Sequence, residues 1–451
     1  MLKFGTDGVR GRFNDTLKVQ DILQLGLAYG HMLEPVGQSR PRVVIGRDSR
    51  VSGDALQGAF AAGLMSAGVD VVDLGVLPTP AVAFAVRHLK AQGAVMLSAS
   101  HNPVPDNGIK IFNADGKKLN DTQCRELEGL LTKAGTLELA QGLSVGRRTE
   151  DPSIRDEYRK FLLSNLEGRL EGTKIVLDCA HGAAAGHARA VFEEAGAEVV
   201  MLCNVPDGER INVACGSTDL SQLSQAVTQH KAHMGFAFDG DADRCLAVCE
   251  QGKAVTGDQM MVVIASELKS KDRLTNNRVV LTVMSNLGAE KTLQEQGIEV
   301  SRTPVGDRYV FEEMTRNGAV LGGEQSGHIL LLDRHWSGDG MLAGLVFAGV
   351  VAGRRKAVSE LVGAIAEMPQ KLVNVSGVDK GRLDTDEVVK EAVRAAEERL
   401  GSDGRLLVRP SGTEPLVRLM AEGPDETLLD SVLDELKNVV LERLGIQSAA
   451  R

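Results

Sequence analysis

The sequence predicts an α/β protein with three topologically similar α/β domains, each a mixed sheet between helices, and a smaller C-terminal α+β domain. One observation is length, because 451 residues exceed one core and suggest roughly three domains. A second is a faint repeat of β-rich run, amphipathic helix ending at Gly, and β-rich run at 43–76, 175–202 and 279–303. This order is typical of βαβ units. A third is the change of pattern after about residue 368, where strands and charged helices indicate the α+β domain.

Each repeat is followed by a third apolar run that ends in a polar loop and returns as another strand. These stretches are 94–112, 234–249 and 319–332. Ligands gather at such strand ends in open α/β sheets, so we expect the three loops to carry function. Domain boundaries near 150, 255 and 367 follow, with a helix around 151–168 leading into the second domain. The predicted domains are 1–150, 151–255, 256–367 and 368–451.

Composition predicts a cytoplasmic protein without a nucleic-acid or membrane partner. Hydrophobic residues make up 43% and charged residues 25%, as in soluble globular proteins. A net charge of −10 argues against a general nucleic-acid binder. The longest apolar run, 341–353, is short of the ~20 residues of a membrane helix and predicts a buried helix. The six cysteines contain no CxxC, which fits a reduced compartment, and Cys245 and Cys249 are expected to be buried in a strand.

The stretch DGDADR predicts a metal site. Asp239, Asp241 and Asp243 alternate, so an extended chain would place their carboxylates on one side. An all-oxygen set suits Mg²⁺ or Ca²⁺. An EF-hand loop is excluded because Arg244 occupies the position where its turn needs Gly. A solvated acidic turn is disfavoured by the apolar runs on both sides.

The stretch RPSGTEP is a candidate phosphate cradle. Ser411, Gly412 and Thr413 offer hydroxyls and unobstructed backbone N–H groups, and Arg409 and Arg418 lie nearby. Backbone amides combined with a guanidinium are a usual phosphate site. A plain turn between strands explains the same residues equally well.

The stretch GGEQSGH is a candidate sugar site. Glu324, Ser326 and His328 lie between glycines at a strand end. A carboxylate beside a hydroxyl can hold vicinal sugar hydroxyls, although a simple β-turn is the plainer interpretation.

The stretch SASHNP presents a candidate nucleophile. Ser100 follows a strand and precedes His101, Asn102 and Pro103, and Lys110 lies on the returning strand. No Ser-His-Asp set accompanies it, so a serine hydrolase has no further support. A hydroxyl, a cation site, a diol site and a phosphate cradle together describe phosphoryl transfer on a phosphosugar.

Over its whole length the chain resembles the α-D-phosphohexomutase superfamily. The resemblance implies a four-domain, heart-shaped enzyme with one loop from each domain around a central cleft. The motifs that carry it are FGTDGVRG (4–11), GRDSRVSG (46–53), SASHNP (98–103), NGIK (107–110), DGDADR (239–244), TPVGDRYV (303–310), GEQSGH (323–328) and RPSGTEP (409–415).

The resemblance also implies the role of each motif residue. The second serine of SASHNP would carry a phosphate, and one Mg²⁺ per active site would bind the phosphoserine and the three Asp. Lys110 would be the candidate general base and His328 a second. The implied catalytic residues are Ser100, Lys110, Arg10, His101 and His328; the metal ligands are Ser100, Asp239, Asp241 and Asp243; and the substrate-binding residues are Arg244, Glu324, Ser326, Arg409, Ser411, Gly412, Thr413 and Arg418.

Within the superfamily, Gln325 and the FGTDGVRG stretch favour members that act on amino-sugar phosphates. The implied reaction converts glucosamine 6-phosphate to glucosamine 1-phosphate through glucosamine 1,6-bisphosphate, which is also the activator. The product would feed UDP-N-acetylglucosamine and cell-wall synthesis, and the enzyme could be a homodimer. Two departures are Ala242, where Gly is more frequent, and Arg210, where Asn is usual. Three alternatives stay open: a glucose or mannose phosphomutase, a metal-dependent phosphatase, and a phosphosugar-binding protein without activity.

Overall fold

A computed structural model describes residues 2–5, 8–34, 39–411 and 416–446, which form two compact units. The first unit comprises the described residues up to 282 together with 298–364, and the second comprises 283–297 together with the residues after 364. None of the helices in the described ranges combines the length and the apolar composition that a membrane crossing requires.

The first sheet of the first unit has six strands. They are β1 (Val9–Arg12), β2 (Arg42–Arg47), β3 (Asp70–Val76), β4 (Gly93–Leu97), β5 (Asp106–Asn113) and β6 (Arg148–Glu150). The spatial order is β1-β5-β4-β2-β3-β6, with β5 antiparallel to both its neighbours and the other pairs parallel. The helices of this region are α1 (Val19–Met32), α2 (Gly53–Ser66), α3 (Thr79–His88) and α4 (Asp121–Leu131).

Helices α1 and α2 pack against each other at two glycines. A Cβ on Gly63 would lie 2.1 Å from the carbonyl oxygen of Leu23, and one on Gly26 would lie 2.3 Å from that of Phe60. Only glycine permits so close an approach of the two backbones. By contrast, no described atom lies within 4 Å of the Cβ position of Gly58, which is also on α2.

The second sheet has five strands in the order β11-β10-β9-β7-β8. The strands are β7 (Lys174–Asp178), β8 (Glu198–Leu202), β9 (Met234–Phe238), β10 (Cys245–Cys249) and β11 (Ala254–Val255), and the helices are α5 (Ile154–Ser164), α6 (Ala188–Glu194) and α7 (Ser221–Gln229). Strands β8 and β9 run parallel to β7, whereas β10 runs antiparallel to β9. Cys245 and Cys249 are buried at the two ends of β10, as expected.

The third sheet has four strands in the order β13-β12-β14-β15. The strands are β12 (Arg278–Thr282), β13 (Glu299–Thr303), β14 (Leu321–Gly323) and β15 (Ile329–Leu331), and the helices from this part of the chain are α8 (Gly257–Ser270), α9 (Leu287–Glu295), α10 (Asp307–Asn317), α11 (Gly340–Arg354) and α12 (Val358–Gly363). Helix α9 belongs to the second unit. Helix α11 is buried along most of its length, which confirms the buried helix predicted at 341–353.

The three sheets share one strand order. In each, the first strand of the repeat (β2, β7 or β12) lies between a second and a third strand that run parallel to it, and a fourth strand pairs antiparallel with the third. The connection from third to fourth strand is the polar loop in every case: β4 to β5, β9 to β10, and β14 to β15. The prediction of three similar α/β domains with mixed sheets is confirmed.

The second unit contains the smaller α+β fold, again as predicted. Strands β16 (Gln370–Ser376), β17 (Arg405–Pro410) and β18 (Leu416–Glu422) form an antiparallel sheet in the order β16-β18-β17. Helices α13 (Glu387–Leu400) and α14 (Glu426–Leu444) begin at N-cap residues Asp386 and Asp425, whose carboxylates accept backbone N–H groups of the first turn.

Candidate active site

Ser100 lies in the β4–β5 loop with a backbone conformation that is rare for its residue type. Its φ is +53°, in the left-handed region, and its side chain is buried. Its Oγ donates a hydrogen bond to Asp239 Oδ2 at 2.5 Å and lies 3.4 Å from Nδ1 of His101. Such strain persists only where the surroundings hold it, so the contacts of this loop matter.

Arg50 anchors the Ser100 loop through hydrogen bonds to its backbone. Its side chain is 2% exposed, and its Nε bonds Asp48 Oδ2 at 3.0 Å. Its two terminal nitrogens donate, over 2.6–3.2 Å, to the backbone carbonyl oxygens of Ser100, Asn102, Pro103, Val104 and Asp106. Hydrogen bonds from a charged donor are stronger than neutral ones, so this one side chain fixes the path of the loop. Arg50 belongs to the GRDSRVSG motif, but no pattern in the sequence indicates this role for it.

Asn212 holds the same loop from the β8–α7 connection. Its Nδ2 donates to the carbonyl oxygens of Ser100 at 2.9 Å and Asn102 at 3.3 Å, and its own φ is +59°. The segment had drawn attention only for Arg210, whose guanidinium is exposed and bonds Asp207 at 2.6 Å. The residue of this segment that contacts the Ser100 loop is therefore Asn212.

The three carboxylates converge, but not in the way the sequence predicted. One oxygen from each of Asp239, Asp241 and Asp243 lies within 4.8 Å of the others, and all three residues are buried. The expected extended conformation is wrong, because the loop turns: Ala242 has φ +55° and its N–H bonds the carbonyl oxygen of Asp239 at 3.1 Å. A left-handed backbone at Ala242 is the physical reason for the Gly that is more frequent there.

Lys110, in β5, and Thr79, at the start of α3, both donate hydrogen bonds to the acidic cluster. The Nζ of Lys110, which is 1% exposed, donates to Asp241 Oδ2 and Asp243 Oδ2 at 2.7 Å each. Thr79 Oγ1 donates to Asp241 Oδ2 at 2.5 Å. Burial, with the Asp243 and Asp241 charges, raises the pKa of Asp239 well above its usual value. The pKa of Asp243 is held well below its usual value because Lys110 and His328 outweigh burial.

The cluster fits a hard divalent cation. Oδ1 of Asp241 and Oδ1 of Asp243 are buried and, within the described ranges, have no hydrogen-bond partner. With the Asp239 carboxylate and the Ser100 hydroxyl, they form the all-oxygen donor set that Mg²⁺ prefers. The sequence prediction that these three carboxylates can hold a metal agrees with this geometry.

His328 lies between two carboxylates at the end of the β14–β15 loop. Its Nδ1 is 3.6 Å from Asp243 Oδ1, and its Nε2 is 3.6 Å from Asp307 Oδ2. Burial acts to lower the pKa of His328, but Asp243, Asp307 and Glu324 raise it on balance. His101 has the opposite environment: burial, followed by Arg244 and Arg10, lowers its pKa to about 4. The pKa values of the two histidines near Ser100 are therefore shifted in opposite directions.

Glu324 and Ser326 lie on the same loop as His328. Glu324 Oε1 accepts a hydrogen bond from the backbone N–H of Gly306 at 2.9 Å, and Ser326 Oγ lies 3.4 Å from the other carboxylate oxygen. The carboxylate and the hydroxyl are thus adjacent, as the sequence predicted. The Gly306 contact adds a backbone anchor that the sequence did not indicate.

Two arginines complete the charged groups near Ser100. Arg10 Nη1 donates to Asn102 Oδ1 at 2.7 Å. The backbone N–H of Arg244 donates to Asp239 Oδ1 at 3.2 Å, and its Nε lies 3.9 Å from Asp243 Oδ1. The structure thus brings all the candidate residues of the first three loops into one unit.

The second unit carries the candidate phosphate residues. Arg409 and Arg418 are cross-strand partners in β17 and β18, and burial and the Arg418 charge lower the pKa of Arg409. Two like charges directly opposite each other are destabilising, so an anion there would relieve the repulsion. Ser411 is buried, and its carbonyl oxygen accepts a hydrogen bond from Lys380 Nζ at 2.6 Å. Gly412 and Thr413 lie outside the described residues.

Four domain families match successive parts of the chain. Their descriptions are "Phosphoglucomutase/phosphomannomutase, alpha/beta/alpha domain I" for residues 1–138, "domain II" for 156–252, "domain III" for 256–368, and the C-terminal domain for 372–439. A structure of a phosphoglucomutase/phosphomannomutase family protein from Burkholderia thailandensis superimposes with a TM-score of 0.84. It is 25% identical and covers 100% of this chain and 99% of its own.

Two curated relatives narrow the assignment. The chain is 49% identical over 447 residues to the phosphoglucosamine mutase of Thermobifida fusca, covering 99% of both chains. It is 50% identical over 449 residues to that of Paenarthrobacter aurescens, covering 99% of this chain and 98% of the relative. The chain therefore belongs to the phosphoglucomutase/phosphomannomutase family of isomerases, and within it to the phosphoglucosamine mutases.

Proposed function

We propose that the chain interconverts glucosamine 6-phosphate and glucosamine 1-phosphate, with Ser100 as the phosphate carrier. The observation that carries the proposal is the buried Ser100 hydroxyl, bonded at 2.5 Å to Asp239 within a three-carboxylate cluster that also binds Lys110. A hydroxyl in that position serves phosphoryl transfer, because Lys110 and a divalent cation held by the carboxylates would neutralise charge on a phosphoryl group.

The reaction has two transfers in balance. Phospho-Ser100 first gives its phosphoryl group to O1 of glucosamine 6-phosphate, which yields free Ser100 and glucosamine 1,6-bisphosphate. After the bisphosphate reorients end for end in the site, Ser100 takes the phosphoryl group from O6. This step yields glucosamine 1-phosphate and restores phospho-Ser100. Escape of the bisphosphate leaves an unphosphorylated enzyme, and added bisphosphate restores it.

The residues around Ser100 divide the work of each transfer. Arg10, Lys110 and Arg244 carry the positive charge that stabilises the equatorial oxygens of the travelling group. The proton of the attacking sugar hydroxyl would pass to Lys110 or to His328, both of which lie against Asp243, and the one that accepts it must first have lost its own proton. His101, with a pKa of about 4, stays neutral beside the nucleophile.

A Mg²⁺ ion, one per site, would be held by Asp239, Asp241, Asp243 and Ser100, and would supply charge neutralisation on the transferred group. The buried carboxylate oxygens described above support this assignment.

Glu324 and Ser326 bind sugar hydroxyls, and the second unit supplies phosphate binding. Arg409, Arg418, Ser411, Gly412 and Thr413 are the proposed phosphate ligands. The opposed pair of guanidinium groups supports an anion site there.

The wider biological setting is also proposed. The product feeds UDP-N-acetylglucosamine and cell-wall synthesis in the cytoplasm, and the chain acts as a homodimer on a small phosphosugar. The domain boundaries at 150, 255 and 367 stay predictions.

Peptide mapping by mass spectrometry tests the carrier directly. After incubation with glucosamine 1,6-bisphosphate and Mg²⁺, we expect one added phosphate, located on Ser100. The S100A variant should fold, gain no phosphate and lose essentially all turnover, whereas S221A, at an exposed surface serine, should behave as the parent protein.

Parallel assays on three substrates separate the alternatives. Turnover of glucosamine 1-phosphate well above that of glucose 1-phosphate and mannose 1-phosphate is expected. A preference for either of those sugars would replace the proposed substrate, and release of free phosphate without isomerisation would indicate a phosphatase.

A further inference from the structure

Two cysteines of the second sheet face each other at a distance from the acidic cluster. Cys203 follows β8, and Cys215 lies just before the 216–218 turn. Their sulfurs and one carboxylate oxygen of Asp178 all lie within 4.8 Å of one another. Cys215 is buried and Cys203 is partly exposed, so a small reagent from solvent would meet Cys203 first.

Asp178 fixes the backbone on both sides of the pair. Its Oδ1 accepts the N–H of Ala180 at 3.0 Å, and its Oδ2 accepts the N–H of Gly216 at 2.8 Å. Gly216 directly follows Cys215, and the N–H of His181 bonds the carbonyl oxygen of Cys203 at 2.9 Å. The two sulfurs are therefore presented by anchored backbone segments.

The two thiols are chemically unequal. The hydrogen bond from Cys215 lowers the pKa of Cys203, whereas the same contact and burial raise the pKa of Cys215. The thiolate is the reactive form of cysteine. Cys203 is thus the attacking sulfur and Cys215 the resolving one.

The segment between the two cysteines touches the nucleophile loop. Asn212 lies within residues 204–214 and donates to the carbonyl oxygens of Ser100 and Asn102. Cys203, Asn212 and Ala214 have φ of +46°, +59° and +50°. With two left-handed residues inside it and a third, Cys203, directly before it, the segment has few ways to absorb a displacement of its ends.

We infer that Cys203 and Cys215 form a reversible disulfide on exposure to a hydroperoxide, and that this disulfide loosens the Ser100 loop by displacing Asn212. Disulfide sulfurs are ~2.05 Å apart, so the two side chains must come closer when the bond forms, and we expect part of that movement to reach the backbone at the ends of the segment. The effect on turnover rests on the proposed function, whereas the disulfide and the loosened loop do not.

The oxidation balances with one hydroperoxide per disulfide. The Cys203 thiolate attacks the peroxide oxygen, forming a sulfenic acid and releasing an alcohol or water. The Cys215 thiol then attacks that sulfur, forms the S–S bond and releases water. A dithiol reductant reverses the step by exchange. Transient disulfides of this kind occur in otherwise reducing compartments.

The test treats the reduced full-length protein with hydrogen peroxide and maps its peptides. We expect a cross-linked peptide containing Cys203 and Cys215, faster hydrogen exchange in the peptide spanning 98–104, and turnover at least tenfold lower, all restored by dithiothreitol. Hydrogen exchange reports on the loop whatever reaction the protein catalyses, so failure of the proposed function would not hide failure of this inference.

Two variants sharpen the result. C203S should keep its exchange rate and its turnover under peroxide, whereas C124S, which removes the other partly exposed thiol, should respond as the parent does. If C203S is poorly folded, C215A serves the same purpose. Absence of the cross-link, a cross-link that leaves exchange at 98–104 unchanged, or thiols protected until a chelator removes a bound metal would each overturn the inference.

Discussion

At the scale of single residues, the site depends on one buried arginine as much as on the groups proposed to bind phosphate. Arg50 occupies a position with five backbone carbonyl oxygens in reach and one carboxylate, Asp48, to balance its charge. Asp48 in turn accepts a hydrogen bond from Ser98 Oγ at 2.6 Å, and that oxygen accepts the N–H of Ser100 at 2.9 Å. The strained conformation of Ser100 is therefore held from both of its backbone polar groups.

Replacing Arg50 by lysine should disrupt the loop without removing the charge. An ammonium group cannot reproduce the planar fork of donors, so several carbonyl oxygens lose their partner. We expect R50K to lower kcat by about 100-fold, the penalty typical of a misplaced reacting group. The rate of Ser100 phosphorylation by the bisphosphate, measured by mass spectrometry, should fall in parallel.

The control for this change is R47K, at the end of β2. Arg47 bonds Gln57 and Asp54 and makes none of the carbonyl contacts described for Arg50. R47K should keep kcat within about twofold, because lysine keeps the charge and none of the side-chain hydrogen bonds of Arg47 reaches the Ser100 loop. Equal losses in both variants would show that Arg50 has only a general role in folding.

The sequence predicted the chemical groups of the site but not what holds them. Ser100, the three carboxylates and Glu324 were found because each stands out at the end of an apolar run. Arg50 and Asn212 were not, because their partners lie 50 and 112 residues away in the chain and are backbone atoms, which no side-chain pattern reveals.

At the scale of elements, the repeated strand order explains why the functional loops are equivalent. In every sheet the polar loop follows the third parallel strand and is closed by an antiparallel fourth strand. A parallel strand delivers its carboxyl end to the ligand-binding edge, and the antiparallel return keeps the loop short. The periodicity of the sequence predicted the repeated succession of strands and polar loops along the chain. It predicted neither the order of the strands within each sheet nor the assignment of α9 to the second unit, because both depend on tertiary contacts.

The crossing of α1 and α2 should tolerate no side chain at its centre. In G63A the new methyl group would meet the Leu23 carbonyl oxygen, so the helices must separate, and we expect a loss of roughly 1–3 kcal/mol in the free energy of unfolding. Urea denaturation followed by circular dichroism measures it. The matched variant G58A, on the same helix with open space at its Cβ, should gain about 0.5–1 kcal/mol. A neutral or stabilising G63A would contradict the packing.

The stability of the fold should depend on pH between about 4 and 6 through Asp339, the N-cap residue of α11. Asp339 accepts the N–H of Leu342 at 3.0 Å and the hydroxyl of Tyr158 at 2.8 Å, and burial raises its pKa from 3.8 to about 6. The folded state then binds a proton more tightly than the unfolded state, so stability falls as pH rises from about 4 through 6. At pH 7 the raised pKa of Asp339 lowers the free energy of unfolding by about 3 kcal/mol relative to low pH, where the carboxyl group is protonated.

The D339N variant should remove that slope, and the difference between parent and variant in denaturation midpoint should widen from pH 4.5 to 7.5. Asp386, the N-cap of α13, provides a contrast of opposite sign. Hydrogen bonds from Val389 and Arg443 outweigh burial and lower its pKa, so its contribution is present at neutral pH and is lost as pH falls. Parallel slopes in D339N and D386N would refute the assignment.

At the scale of the whole molecule, a bound cation should raise the stability of the native fold. An ion that binds only the folded protein adds about 2.7 kcal/mol at a hundredfold excess over its Kd. We expect the Tm to rise with Mg²⁺ and to return to its starting value when a chelator is added. The rise should saturate at one ion per chain.

The variant D239N should separate two effects of the acidic cluster on stability: the repulsion among its three carboxylates and the binding of Mg²⁺. Without Mg²⁺ its Tm should exceed that of the parent, because one of three mutually repelling buried carboxylates is neutral. With Mg²⁺ it should show little further rise, because a ligand is lost. D115N, at an exposed carboxylate, should match the parent in both conditions. A full Mg²⁺ response in D239N would place the ion elsewhere.

Gly58 is one of several helix glycines whose replacement by alanine should make the chain more stable. Gly129 in α4, Gly353 in α11 and Gly363 at the end of α12 share its property of open space around the absent methyl group, and none of the four has a left-handed backbone. Each glycine enlarges the conformational freedom of the unfolded chain, which alanine would restrict by ~0.4–1 kcal/mol per site. Alanine at these four helix positions should therefore raise the thermostability of the chain without altering any residue of the site.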